Sequence, residues 1–350
     1  MVMDLKIRIK AAERAKSVAF SFAVMLALFF PHGAHAIQDV CGDCHTMHNS
    51  QDGAPMARDE NGDPLATPYS RLLVSNCVGC HTSATTATIV DGVPMANNIL
   101  APVNILAAGN FHYVNLDDAA GHNVFGSNPD DVLGNDPPGG GFPAGGDYQG
   151  QLRCAGTRGC HGYNGGHGET PYDDQLMALD GAHHENLAAA DGSTVGASYR
   201  FLYGIAGMED GDWEQDNLNS SHNEYMGSTD PANESTIDFF CAECHGEFHG
   251  AQDVGGASPW LRHPTSVALP VGLTEYEQYL TYSLTAPVAR QDPFNVEDAT
   301  QVTPGTDMVM CLSCHRAHGS PNYKMMRWDY RSGDLASALA GCKVCHTFKD

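Results

Sequence analysis

Large apolar side chains are scarce in this chain, and so is positive charge. Residues 37–350 hold 18 Val, 21 Leu, 6 Ile and 9 Phe, which is 54 of 314 or about 17%. Together with a large net charge, that content is more typical of a disordered chain than of one with an ordinary core. Over the whole sequence, 18 Lys and Arg stand against 42 Asp and Glu. Such an imbalance argues against nucleic acid and anionic membrane surfaces as partners. Long apolar runs are missing too, since the longest, Val18 to Phe30, is too short for a membrane span.

That run follows a basic stretch (Lys6, Arg8, Lys10, Arg14, Lys16) and precedes Ala34-His35-Ala36. This is the layout of a secretory signal, residues 1–36, cleaved after Ala36 to release one domain, residues 37–350. The signal takes five basic residues with it, and Asp4 and Glu13, so the mature balance is 13 − 40 = −27. No cysteine sits at the new N-terminus, which speaks against a lipid anchor.

Cysteine and histidine, by contrast, are abundant, with 12 Cys and 18 His. The cysteines fall as Cys41-Gly-Asp-Cys44-His45, Cys77-Val-Gly-Cys80-His81, Cys241-Ala-Glu-Cys244-His245, Cys311-Leu-Ser-Cys314-His315 and Cys342-Lys-Val-Cys345-His346, with one widened variant, Cys154 to Cys160-His161. In an exported chain twelve cysteines ordinarily mean disulfides. Neither disulfides nor zinc ribbons, however, need a His directly after every second Cys. C-x-x-C-H is the attachment sequence of c-type haem, in which two thiols bond the porphyrin edge and the His reaches the iron. The spacing predicts six covalently attached haem c groups. For the widened segment the rival reading is a disulfide between Cys154 and Cys160. Six porphyrins also supply the missing core, because each is a large apolar plate.

The second axial ligands must come from elsewhere. Without His32 and His35, and after the six motif residues, ten histidines remain: His48, His112, His122, His167, His183, His184, His222, His249, His263 and His318. That supply predicts bis-histidine, six-coordinate, low-potential irons. His48, His249 and His318 each follow a motif His by three or four residues, too near to swing round to the opposite face of the same plate. They point to a neighbouring iron. His122 and His263 sit in short turn-like contexts. His183 and His184 fall on an expected helix, where one could bind iron while the other faces solvent or a propionate. His167 competes with them, and His112 and His222 rank below. The expected iron ligands are therefore His45, His81, His161, His245, His315 and His346, joined by His48, His122, His183, His184, His249, His263 and His318.

Regular structure is expected to be sparse. Apolar spacing suggests short helices over residues 69–76, 172–190, 275–284 and 334–339, whereas 126–150 and 207–235 read as surface loops. The fold class expected is a mostly irregular, haem-wrapped multihaem cytochrome c with short helices, little or no sheet and a stacked haem chain.

The segments CGDCHTMHNS (Cys41 to Ser50), Gly121-His122-Asn123, Leu261-Arg262-His263-Pro264 and CLSCHRAH (Cys311 to His318) occur in an order that resembles the hexahaem filament-forming outer-surface cytochromes, the extracellular cytochrome nanowires. The resemblance implies a secreted, extracellular protein that assembles as a head-to-tail homopolymer. It also implies that His48 ligates an iron of the adjacent subunit, the one whose motif residue matches His315. Electrons would pass along the haems to partner cytochromes or external acceptors such as metal oxides, with no catalytic residues. The chain departs from that family in its widened third motif, its shorter length and its Ala182-His183-His184 element. Two other readings use the same motifs: a monomeric periplasmic electron shuttle, and a multihaem reductase, which would need an iron with an open position.

Overall fold

A computed structural model describes residues 40–59, 61–125, 137–139, 152–165, 170–185, 190–249, 263–273 and 275–348. The expected signal segment, His167 and most of 126–150 lie outside them. The chain divides into two units, Met1–Gly33 and Ala34–Asp350, of which the first is wholly outside the described residues.

Irregular backbone dominates the second unit, and the regular pieces are short. The described helices are α1 (Cys41–Cys44), α2 (Cys77–Cys80), α3 (Pro171–Ala178), α4 (Ile237–Ala242), α5 (Leu335–Ala338) and α6 (Cys342–Cys345). Among the described residues, strands of two or three residues pair into five two-stranded sheets, and none forms a layer. Among the described residues, no helix is long and apolar enough to cross a membrane.

Helix ends follow local chemistry. Thr170 caps α3 by accepting from the Asp173 N–H at 3.1 Å, and Asp334 caps α5 by accepting from the Ser337 N–H at 2.9 Å. The expected helix 172–190 stops early, because Gly181 turns left-handed at φ +79° and the chain re-enters only as a 3-10 turn, Ala182–His184. Of 69–76 only the 3-10 turn Ser70–Leu72 forms, with Arg71 and Leu72 both at positive φ. Residues 275–284 are not helical beyond a turn: Tyr279 and Tyr282 are buried while Leu280 is exposed, and Thr281 bridges Gln301 in an extended segment. Their spacing of three imitates a helix face.

The stretch 207–235 is no surface loop. It contributes two short strands, Gly207–Met208 and Glu224–Tyr225, which pair antiparallel. Asp210, Glu214, His222, Asn223, Glu224 and Tyr225 are all buried. Its acidic residues are tolerated inside through separate partners: Arg290 pairs with Glu224 at 3.0 Å, Arg200 pairs with Glu209 at 3.1 Å, and Asp210 accepts from the Glu214 N–H at 2.9 Å.

Two small apolar clusters back the motif segments. One gathers Tyr199, Leu202, Ile205, Tyr225, Ile237 and Met310, with Cys160 against it; the other gathers Leu269, Tyr279, Tyr282, Val288, Val302 and Val309, with Cys345 against it. Elsewhere a polar pair does a similar job. The buried Asn110 donates to Asn98 Oδ1 at 2.8 Å, while Asn98 donates to the Thr85 and Ala87 carbonyls at 2.9 and 2.8 Å.

Candidate haem sites

Five motifs share one local device. The N–H of the motif His donates to the carbonyl of the first Cys, at 2.8 Å for His45, His81 and His346, 2.9 Å for His245 and 3.1 Å for His315. That closes a single helical turn. In the widened motif a tight loop replaces the turn: the short strand Arg153–Ala155 pairs in parallel with Gly159–His161, and Gly156 between them is left-handed at φ +82°. Cys154 and Cys160 are thiols in the structure, not a disulfide.

Every motif imidazole is oriented through its Nδ1, leaving Nε2 for a metal. Nδ1–H of His45 donates to the Arg71 carbonyl at 2.9 Å, His81 to Pro94 at 2.8 Å, His161 to Arg200 at 2.9 Å, His245 to Pro138 at 2.7 Å and His315 to Lys324 at 3.0 Å. His346 donates instead to the Glu275 carboxylate at 2.5 Å. Arg71, Arg200 and Lys324 have the same unusual backbone: each sits at positive φ and is followed by an apolar residue also at positive φ (Leu72, Phe201, Met325). L-residues adopt that conformation at a cost of roughly 1–2 kcal/mol each. Such turns persist where surrounding contacts fix them, and they occur preferentially at functional sites.

Facing five of the motif imidazoles is a second one. Ring centres are 6.3 Å apart for His45 with His184 and for His81 with His183, 6.0 Å for His161 with His318 and for His122 with His245, and 6.2 Å for His263 with His346. Two imidazoles bound to opposite sides of one metal through bonds of about 2.0 Å hold their centres about 6 Å apart. Both members of the 183–184 pair therefore face a motif His, where sequence spacing suggested one. His318 faces His161 rather than its own motif, in line with the short-spacing argument.

The remaining histidines are placed differently. His48 is exposed, next to Met47 at 84% exposure. His249 has Nε2 3.3 Å from Ser266 Oγ and meets Phe239 edge-on. His222 is buried with both ring nitrogens near carbonyls, of Asn223 and Ala299, and stacks on Tyr282 at 3.5 Å. His112 is held by the Asn98 carbonyl and meets Tyr113 edge-on. His315 is the one motif His without a facing imidazole among the described ring pairs.

The thiols give the order of the sites. Cys44 lies near Cys80, Cys77 within hydrogen-bonding reach of Cys154, Cys160 near Cys244, Cys241 within reach of Cys311, and Cys314 near Cys342. Each motif thus adjoins the next in chain order.

Two further observations fit a haem at these residues. Burial holds His81, His122, His161, His315 and His318 below the usual imidazole range and pushes His183 down to about 4, so all stay in the neutral, ligating form. Arg316 and Arg327 line a polar cavity of about 290 Å³ beside Cys314, with Arg327 Nη2 buried and unpartnered. Burial and its neighbour Arg327 push Arg316 down to about 9. A haem propionate is an anion of the kind that such a pair lacks. None of the Nδ1 acceptors was singled out from the sequence. The signal was present as a basic residue followed by two apolar ones: Arg71-Leu72-Leu73, Arg200-Phe201-Leu202 and Lys324-Met325-Met326.

The family described as the doubled CXXCH motif matches residues 303–350, which span the last two motifs. Among solved structures, the chain is similar to the outer membrane cytochrome S filament from Geobacter sulfurreducens, with 18% identity, a TM-score of 0.46, and coverage of 91% of this chain and 100% of that one. A second structure, of the OmcS nanowires from Geobacter sulfurreducens, matches at 18% identity and a TM-score of 0.45 over the same shares. No curated protein matches. The chain resembles these multihaem cytochromes.

Proposed function

We propose that residues 37–350, freed of the segment 1–36, form a secreted domain that carries six haem c groups and conducts electrons along them outside the cell. The five facing imidazole pairs carry this reading. When bound, haem supplies reversible one-electron exchange at iron. The chain's own residues fix each motif ring through Nδ1 and set the motifs side by side in order. Two imidazoles at each of these five sites would leave no position for a substrate there, which favours transfer over a reductase.

Among the described ring pairs His315 has no facing imidazole, and His48 is exposed; this supports the further step that His48 of one copy ligates the iron held by His315 of the next. A contact from one surface patch to a different one propagates head to tail and yields a homopolymer. Electrons would leave such a fibre to partner cytochromes or metal oxides.

Negative-stain microscopy and intact mass of the secreted protein test both levels. The expected result is fibres of chains carrying six haems. His48→Ala should keep six haems, abolish fibres and leave one high-spin ferric iron per chain. Fibres unaffected by H48A would overturn the joint, and isolated wild-type particles would return the protein to a monomeric carrier.

A further inference from the structure

Five motif histidines give their Nδ1–H to a backbone carbonyl, and His346 alone gives it to a carboxylate, Glu275 Oε1 at 2.5 Å. The contact is built from both sides. Thr347, the residue after the ligand, donates its N–H and its Oγ1–H to the Glu275 carbonyl, each at 2.8 Å. The ligand's neighbour thus fastens the acid's backbone while the acid fastens the ligand's ring. The site is partly screened from water, the His346 side chain being 19% and that of Glu275 42% exposed.

A carboxylate draws on the Nδ1 proton more strongly than a carbonyl does, which makes the ring a more basic ligand through Nε2. A more electron-rich axial ligand and a nearby negative charge both favour ferric over ferrous iron. We propose that Glu275 is a positioning residue that holds the potential of the haem at His346 and His263 below the value a carbonyl acceptor would give. The C-terminal end of the series would then be electrically distinct from the rest. This rests on the reading of His346 as a haem ligand.

Ring planes set this haem apart among the five facing pairs. His263 and His346 cross at 89°, whereas the other four pairs lie between 17° and 61°. Crossed axial planes leave two iron d orbitals close in energy and give a ferric electron paramagnetic resonance signal at large g. Redox titration of that signal in the holoprotein is the test, with Glu275→Gln converting the acceptor to a neutral carbonyl like the other five.

In E275Q the expected upward move is about a tenfold change in the reduced-to-oxidised ratio at fixed potential, about 59 mV for one electron. The other potentials should stay in place and the mass should still show six haems. E277Q removes the same charge from an exposed side chain two residues away and should move the signal much less; E275D keeps the carboxylate and should lie nearer the wild type. No shift in E275Q, an equal shift in E277Q, or E275D coinciding with E275Q would overturn the proposal. A wild-type protein whose 342–346 peptide carries no haem would instead overturn the reading beneath it.

Discussion

Single residues in this protein are tuned mostly by burial. Asp212 is an example away from the haem motifs: desolvation and the adjacent Asp210 carboxyl push it up to about 6. A carboxyl raised above its unfolded value of about 3.9 contributes full stability below that value and loses it as pH rises through about 6. Asp210 is held below the usual range despite its burial, by hydrogen bonds from its neighbours that include Ser221, so its own contribution is present at neutral pH and is lost only as pH falls through the acid range. Asp212→Asn keeps an acceptor for the Asp216 N–H, now at 2.9 Å. The variant should be more stable than the wild type at pH 7 by on the order of 1 kcal/mol, after allowance for solvent screening, and gain little at pH 4. Thermal midpoints at the two pH values check this.

Between elements, the decisive crossing brings residues 317–320 against 108–110 and 120–122. The His318 N–H donates to the Ala108 carbonyl at 2.6 Å, the Asn110 N–H to Gly319 at 2.9 Å, and the His122 ring to Ala317 at 2.7 Å. Two imidazoles, facing His161 and His245, are thereby set by one strand-like contact. It requires glycine: Gly109 sits at φ +93°, and a Cβ there would lie 2.0 Å from the Gly319 carbonyl oxygen. Gly109→Ala should therefore disturb two haems together, seen as high-spin ferric signal and carbon monoxide binding at two irons. Disturbance of none, or of every haem, would contradict this coupling.

The same crossing shows what could be read from the chain and what could not. The haem motifs were legible because covalent attachment demands cysteine and histidine within a few residues of each other. The facing imidazoles were legible only as candidates, since His161 with His318 and His122 with His245 are joined by contacts distant in sequence. Helices were harder still. Tyr279 and Tyr282 carry a helical spacing but serve an extended segment, and Arg71-Leu72 carries no periodic signal for a left-handed turn whose purpose is one carbonyl. The acidic stretch 207–235 misled for a related reason, because partners outside it, Arg200 before it and Arg290 far along the chain, pair with its Glu209 and Glu224 carboxylates.

For the whole molecule, scarcity of apolar residues has a direct thermodynamic meaning. With 54 large apolar side chains in 314 residues and two small clusters of them buried, the polypeptide alone cannot offset the conformational entropy lost on folding. The haem-free chain, made in cells unable to attach haem, should be unfolded by circular dichroism and rapidly digested by protease. A folded apoprotein would mean that the porphyrins are not its core.

The facing pairs also interlock. The imidazoles opposite His45 and His81 are consecutive residues, His184 and His183, and lie beyond the third motif; the one opposite His161 follows the fifth, and the one opposite His245 precedes the third. No cut through the backbone separates one complete site from the rest. A lineage could not lengthen or shorten such a conductor one haem at a time by duplicating or deleting a cassette, since each excised segment would strand a neighbour's ligand. Under the proposed head-to-tail assembly, growth in length would be left to whole chains, joined end to end.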